Sequence, residues 1–413
     1  MAGVTPAKFQ MEVIMNCFDD KNVNLDALKK KAYNLRWAEV DDGVIPLTAA
    51  DPDFPCPPMV KQAILDYVSD GYFCYTPKTG FDDFKISLSN YVKDLKNEDI
   101  KPKNVLPVDS AARAMYIIAK AYLNPGDEMI VFNPCDFLFR ESCLAAGATP
   151  VYYPASINIE NKKMDLSKLE DYITPKTKMI GLCNPHNPYG LVYTKEELDY
   201  IMTLCEKYNI YIMNDEIWSD IVYPDAKFES IYSLGNDRCN RVLSVFGYSK
   251  SFGLAGLRIG CVYTSDDKAF EKIIEASDVM STAGGATSVS QVAAISAMND
   301  ARDWVKEFMN HLTENRNYAV DFINKNIPQL HAYKPQATYL LYVDIQDLHC
   351  TGVELVEFLK REVNLFVVPG GHNYFGDQSE GHIRICIATS KEILHEGLNR
   401  LKAGVEKFVG EGK

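Results

Sequence analysis

The chain has 413 residues, 47% hydrophobic and 24% charged, and its 43 basic against 56 acidic residues give a formal net charge of −13. That length predicts two or three domains, and the composition is that of a folded globular protein, which excludes disordered, collagen-like and low-complexity classes. An acidic field with no local run of Lys and Arg argues against a nucleic-acid binder, and no apolar stretch approaches the roughly 18 to 20 uncharged residues of a membrane span.

The first residues, MAGVTPAKFQMEV, lack the basic-then-apolar order of a signal peptide. The stretch before Ile45 has no core of its own, so it is expected to pack on a second domain or on a partner subunit. From about residue 100 to 265, short β-branched runs alternate with helical periodicity. Residues 104–108, 128–132, 178–183, 210–214, 241–246 and 257–263 read as strands, with helices at 111–123 and 195–208. This is an α/β pattern: a large domain with a mostly parallel sheet sandwiched by helices, whose strand-to-helix turns are where ligands bind. After Gly284 a helical stretch at 287–326 leads to a strand at 339–344, a helix at 352–361, short strands at 365–368 and 382–387, and a last helix at 391–409. That reads as a smaller α+β domain. The expected divisions are an N-terminal segment, 1–45, packing with the small domain, a large domain, 46–290, and a small domain, 291–413.

The eleven cysteines form no C-x-x-C pair and no zinc spacing, so reduced thiols, a cytoplasmic location and no metal are expected. No G-x-G-x-x-G follows a strand and no phosphate-binding G-x-x-x-x-G-K-[ST] occurs.

Three motifs fall at successive strand ends. Gly247-Tyr248-Ser249-Lys250-Ser251-Phe252-Gly253 places a lysine in a small-residue loop, where desolvation favours the neutral, nucleophilic amine. Arg258, eight positions on, returns on the next strand and can clamp a phosphate. Asn184-Pro185-His186-Asn187-Pro188 makes a turn that points a side-chain amide over the sheet edge. Asp215 ends another strand. Each feature alone has a structural reading, as surface lysine, turn or helix cap; their order along one sheet edge carries the chemistry.

The segment G-Y-S-K-S-F-G-L-A-G-L-R-I-G (247–260) resembles the lysine signature of fold-type I pyridoxal 5′-phosphate enzymes of the class I/II aminotransferase family, and the resemblance extends over nearly the whole chain. It implies that Lys250 forms the cofactor Schiff base and that Asp215 pairs with the pyridine nitrogen. It also implies that Asn187 bonds the 3′-oxygen and contributes to the substrate site, and that Arg258 binds the phosphate. Ser110, Ala111 and Ala112 open a helix where the family cradles that phosphate, work that backbone N–H groups can do. Arg384 matches the arginine that takes the substrate α-carboxylate, and Ala50 lies near that group in the family. Tyr75 matches a tyrosine that reaches the phosphate of the neighbouring subunit, which implies a homodimer with shared active sites.

Leu35-Arg36-Trp37, Ala50-Asp51 and the Asp215–Asp220 stretch also resemble cystathionine β-lyase-like C–S lyases, whereas the complete Gly256–Gly260 ending favours the aminotransferases. The expected reaction is amino transfer between an amino acid and a 2-oxo acid, with Lys250 as the base for the α-proton; the alternative is expulsion of a β-thiol, giving pyruvate and ammonia. Three positions depart from the family pattern. Asp136 stands where a ring-stacking aromatic is usual, with Phe137 beside it, Trp218 replaces a common tyrosine, and Gly247 replaces a common phosphate-binding serine. For a distal substrate carboxylate the candidates are Arg113, Arg140 and Arg361.

Overall fold

The computed structural model describes residues 17–158, 162–281 and 284–412. They divide into two compact units: one comprises Cys56–His186 and Leu191–Arg302, the other the described part of Met1–Pro55 with Asn187–Gly190 and Asp303–Lys413. The expected divisions lay at 45/46 and 290/291.

The first unit is built on seven strands: β1 (Val105–Val108), β2 (Glu128–Asn133), β3 (Thr149–Pro154), β4 (Thr177–Cys183), β5 (Tyr211–Asp215), β6 (Val242–Gly247) and β7 (Gly260–Tyr263). Their order in the sheet is β1-β7-β6-β5-β4-β2-β3. Every pairing from β6 through β3 is parallel, and β7 runs antiparallel to both its neighbours. β1, β6 and β7 are buried at every position, which is why they read as continuous rather than alternating apolar runs. Helix α1 (Ala111–Tyr122) follows β1 and starts at Ser110, whose hydroxyl caps the Arg113 N–H.

The second unit carries an antiparallel sheet in the order His331–Ala332, Leu340–Asp344, His382–Cys386, Val368–Pro369, packed with helices Gly352–Val363 and Lys391–Gly410. The N-terminal stretch joins it: Ile45–Pro46 pairs in parallel with Leu365–Phe366, Cys386 N–H donates to Leu47 O, and Asp53 N–H donates to Ala388 O. Phe18, Phe54 and Phe308 form an aromatic cluster with centroids 5.0 to 6.3 Å apart.

Two local expectations are corrected. The strand expected at 257–263 begins only at Gly260, because Ala255–Leu257 form a 3₁₀ turn and Arg258 donates its N–H back to Ala255 O. Arg258 therefore precedes the strand, in the left-handed region at φ 52°. The single helical stretch at 287–326 is two helices, Ser288–Asp300 and Arg302–Asn326. The chain leaves the helical path at Ala301 (φ −102°, ψ 15°), and Arg302 turns to Asp94 at 2.8 Å.

Gly260 lets the sheet meet α1. A Cβ there would lie 2.5 Å from Ala111 N and 2.6 Å from Ser110 C, backbone atoms that cannot yield. Gly260→Ala is expected to cost about 2 kcal/mol or more in urea unfolding. Gly256→Ala, four residues away with nothing within 4 Å of its Cβ, should change stability by no more than about 0.5 kcal/mol.

Candidate active site

The carboxyl ends of β4, β5 and β6 lie side by side, so the segments leaving these strands share one edge of the sheet. β6 runs into Tyr248 and the single helical turn Ser249–Phe252, which Gly253 closes in the left-handed conformation at φ 66°. This turn carries Lys250, whose Nζ stands 5.6 Å from the centroid of the buried Trp218 ring. The adjacent Ser251 hydroxyl donates to Asp220 Oδ2 at 2.6 Å, tying the lysine turn to the segment after β5.

Asp215, the last residue of β5, is buried and accepts the Ile217 N–H at 3.0 Å. Burial is the main cause pushing its carboxyl up to about 7; Asp136 and Cys135 add to the rise, while the Ile217 N–H and Lys250 oppose it. Asp136, not an aromatic ring, thus faces Asp215 electrostatically. Its Oδ1 also accepts the Leu138 N–H at 3.1 Å at the start of helix Leu138–Ala145, so the carboxylate has a local capping task as well. Phe137 is 47% exposed.

The α1 N-terminus completes this edge. Gly260 and Gly247 are partners across β7 and β6, and both face Ala111. A Cβ on Gly247 would lie 3.0 Å from Ile217 Cδ1 and 3.2 Å from Ala111 Cβ, so close packing accounts for glycine where the family commonly has serine. Ser110, Ala111 and Ala112 are all partly accessible, and they lie at the N-terminus of α1, the positive end of the helix dipole. Arg258 is exposed, and no ion pair or hydrogen bond ends on its guanidinium among the described residues.

Behind this edge lies a buried charge cluster that sequence reading missed. Lys96 Nζ, at the end of helix Asp82–Lys96, pairs with Glu216 Oε2 at 3.0 Å, both side chains essentially inaccessible. Burial works against the Lys96 charge, but Glu216, Glu98 and Asp220 outweigh it and raise its pKa. Burial and the neighbouring Glu216 carboxylate push Glu98 far up, so Glu98 is the neutral acid of the cluster. Burial would raise Glu216 too, but Lys96 above all overcomes it and holds it below the usual range. Ser230 and Tyr263 hydroxyls donate to Glu98, and the Asn214 amide donates to Glu216. A Lys-x-Glu pair closing one helix was the sequence signal, but only the fold brings it to the Asp215-Glu216 step.

The other unit gathers a different set. Arg384, on the His382–Cys386 strand, is 7% exposed and lies 4.7 Å from the Phe375 ring centroid. Its Nη1 is 3.4 Å from Asn187 Oδ1 and its Nη2 is 3.5 Å from Thr48 O. Ala50, two residues on, has its carbonyl bonded by the Tyr339 hydroxyl at 3.2 Å. Thr48 and Tyr339 were not expected from the sequence. Tyr75 is 98% exposed on the first unit. Of the arginines considered for a distal carboxylate, Arg140 pairs with Glu141 and Arg361 with Glu362, while Arg113 is exposed.

Two outcomes test these electrostatics. Lys96→Met leaves the buried Glu216 and the half-buried Asp220 without their cation and is expected to cost about 3 kcal/mol or more in chemical unfolding, much of it recovered by adding Glu216→Gln. Asp215 titrates at about 7 in the folded chain, against an ordinary value of 3.8. The ligand-free fold therefore holds more protons than the unfolded chain between these values and loses stability as pH rises through them. Calorimetry should show ligand-free Asp215→Asn melting several degrees above wild type at about pH 8, with the gap closing towards about pH 4.

Residues 42–401 match the class I and II aminotransferase family. The chain is 32% identical over 390 residues to an aspartate aminotransferase of Bacillus sp. (strain YM-2), covering 93% of this chain and 95% of that one. Among solved structures it resembles an aromatic aminotransferase from Pyrococcus horikoshii OT3, with a TM-score of 0.82 at 27% identity over 89% of this chain and 97% of that one. The fold is also that of cystalysin from Treponema denticola, a structure containing pyridoxal 5′-phosphate (TM-score 0.85, 22% identity, 92% and 97% covered). A lysine turn, a buried Asp and a helix N-terminus on one sheet edge, in a chain matched from residue 42 to 401, make this protein a member of the class I and II aminotransferase family.

Proposed function

We propose that this chain is a pyridoxal 5′-phosphate-dependent aminotransferase that moves an amino group between an amino acid and a 2-oxo acid. The reading rests on one observation above all: Lys250, Asp215 and the α1 N-terminus share the carboxyl edge of one sheet, and Gly247 and Gly260 leave room for that approach. The donor set fits the cofactor: an amine for its aldehyde, a carboxyl for its ring nitrogen, amides and a guanidinium for its phosphate. When bound, the cofactor supplies the electron sink that makes the substrate α-proton acidic.

The chain's own residues do the rest. Lys250 Nζ, beside the Trp218 indole, takes and returns the α-proton. Asp215 holds the ring nitrogen's proton, and a positive partner there reverses the penalty that now pushes its carboxyl up. Arg258 and the N–H groups of Ser110, Ala111 and Ala112 hold the phosphate. Asn187 serves the cofactor's 3′-oxygen and the substrate, and Arg384 with the Ala50 backbone takes the α-carboxylate.

Tyr75 belongs in this scheme to the neighbouring subunit's site, which makes the working form a homodimer. Exposure of Tyr72 at 73%, Phe73 at 63% and Tyr75 at 98% supports a covered face there. No disulfide joins any of the eleven cysteines among the described residues, which supports a cytoplasmic location. No helix among the described residues is long and apolar enough to cross a membrane.

Purified protein should be yellow and bleach with borohydride, and it should transfer the amino group of aspartate, the donor named for its 32% identical relative, to a 2-oxo acid. Lys250→Ala should lower that rate by at least about 10³-fold. A Lys250→Ala protein that still turns over sinks the assignment. Release of thiol and pyruvate from cystathionine, without 2-oxo-acid-dependent transfer, would replace it with β-elimination.

A further inference from the structure

The Arg36-Trp37 motif has no part in the cofactor site proposed above, yet the structure joins it to Asp53 around the segment that carries Ala50. Residues 47–53 contain no helix or strand. Much of the segment is buried, with Thr48 and Asp53 at 0% and 2% exposure, so its carbonyls need donors from elsewhere. Three consecutive carbonyls receive them from three different side chains. Thr48 O faces Arg384 Nη2 at 3.5 Å, Ala49 O accepts from Arg36 Nη1 at 3.0 Å, and Ala50 O accepts from Tyr339 Oη at 3.2 Å.

The donors are themselves fixed. Arg36 Nη2 forms a buried ion pair with Asp53 Oδ1, which also accepts the Trp37 indole N–H at 2.7 Å. The Thr48 hydroxyl reaches back to Leu35 O at 2.5 Å, and Asp53 N–H is bonded to Ala388 O at 2.9 Å. The segment is therefore pinned at both ends and along its middle. One of its three carbonyls is held by the same guanidinium we assign to the substrate carboxylate.

We infer that Arg36, Asp53 and Tyr339 are positioning residues that hold the Thr48–Ala50 backbone ready for the substrate α-carboxylate beside Arg384, without touching substrate themselves. The inference rests on the assignment of Arg384 to that carboxylate. An irregular segment left to itself would have to order when substrate binds, and that ordering would weaken affinity; pinning it beforehand moves the cost into folding. Because the segment meets a group that does not react, its effect falls on binding more than on the chemical step.

Three variants of the cofactor-loaded enzyme test this: Tyr339→Phe, which deletes one hydroxyl; Arg36→Lys, which keeps the charge opposite Asp53; and the double variant Arg36→Met/Asp53→Leu, which removes both buried charges together. The probe is 2-methylalanine, an amino acid with no α-proton, titrated by the change in cofactor absorbance. Tyr339→Phe is expected to raise its Kd about 3- to 10-fold, the value of one hydrogen bond, and the double variant about 10-fold or more. For the reacting donor, KM should rise in parallel with kcat within about twofold, and Arg36→Lys should recover most of the affinity.

An unchanged Kd in Tyr339→Phe and in the double variant, with only the melting temperature lowered, overturns the inference and leaves a structural ion pair. If the double variant does not fold, Tyr339→Phe and Arg36→Lys decide the matter. Arg384→Met separates the two levels. If it leaves the 2-methylalanine Kd unchanged, the carboxylate assignment itself is wrong; if it abolishes binding while Tyr339→Phe changes nothing, only the positioning role falls.

Discussion

A single buried ammonium, that of Lys96, sets the conditions under which the edge of the central sheet can hold its reactive groups. It ends one helix and reaches Glu216, the residue immediately after Asp215. Its field also acts on Asp220, whose carboxylate accepts the hydroxyl of Ser251, next to Lys250. Asp215 and Lys250, the two residues we propose for the chemistry, are thus each one position along the chain from a group tied to the Lys96 cluster. Buried ion pairs are weak contributors to net stability, because desolvation cancels most of their attraction. Their value here is geometric. With Glu98 neutral and Glu216 charged, the Tyr263 hydroxyl donates to Glu98, the Ser230 hydroxyl faces both carboxyls and the Asn214 amide donates to Glu216 and Ser244, a network that leaves few alternative arrangements for the Asp215-Glu216 step.

The same fold keeps Asp215 out of that cluster. Burial above all, with Asp136 and Cys135, raises its pKa, while the Ile217 N–H and Lys250 lower it, so the ionised carboxylate is disfavoured there. A positive charge placed beside it would relieve that penalty. Asp136 deepens this effect with its negative potential, while its Oδ1 accepts the Leu138 N–H at the start of the adjoining helix.

Much of this was legible in the sequence, for identifiable reasons. The buried strands announce themselves as apolar runs, and the lysine, the aspartate and the Asn-Pro turn fall at their ends because a parallel sheet aligns those ends. Lys96 was not legible. A lysine in the last turn of an amphipathic helix normally faces water and the helix dipole, and nothing nearby in sequence says that this one turns inward to Glu216, 120 positions away. Arg258 was misplaced onto a strand because Ile259 and Gly260 continue the apolar run, although the small residues before it close a 3₁₀ turn. The helix break at Ala301 carries no Gly or Pro. The division of the N-terminal stretch between a paired strand at Ile45–Pro46 and the irregular segment after it depends on a partner strand more than 300 residues away.

Arginine and lysine in an acidic chain can be sorted by what neutralises them. Lys96 and Arg36 are buried against carboxylates of their own unit, Glu216 and Asp53, and their charge is spent on holding backbone in place. Arg384 is buried too, with the Asn187 amide oxygen, the Thr48 carbonyl and the Phe375 ring set around it. Arg258 stands exposed, in a strained left-handed conformation that costs free energy for any residue with a Cβ. A net charge of −13 makes positive potential scarce, and screening confines it to within about 10 Å. Within each unit, then, the cation paired with a buried carboxylate, Lys96 in one and Arg36 in the other, fixes backbone, while Arg258 presents its charge to solvent.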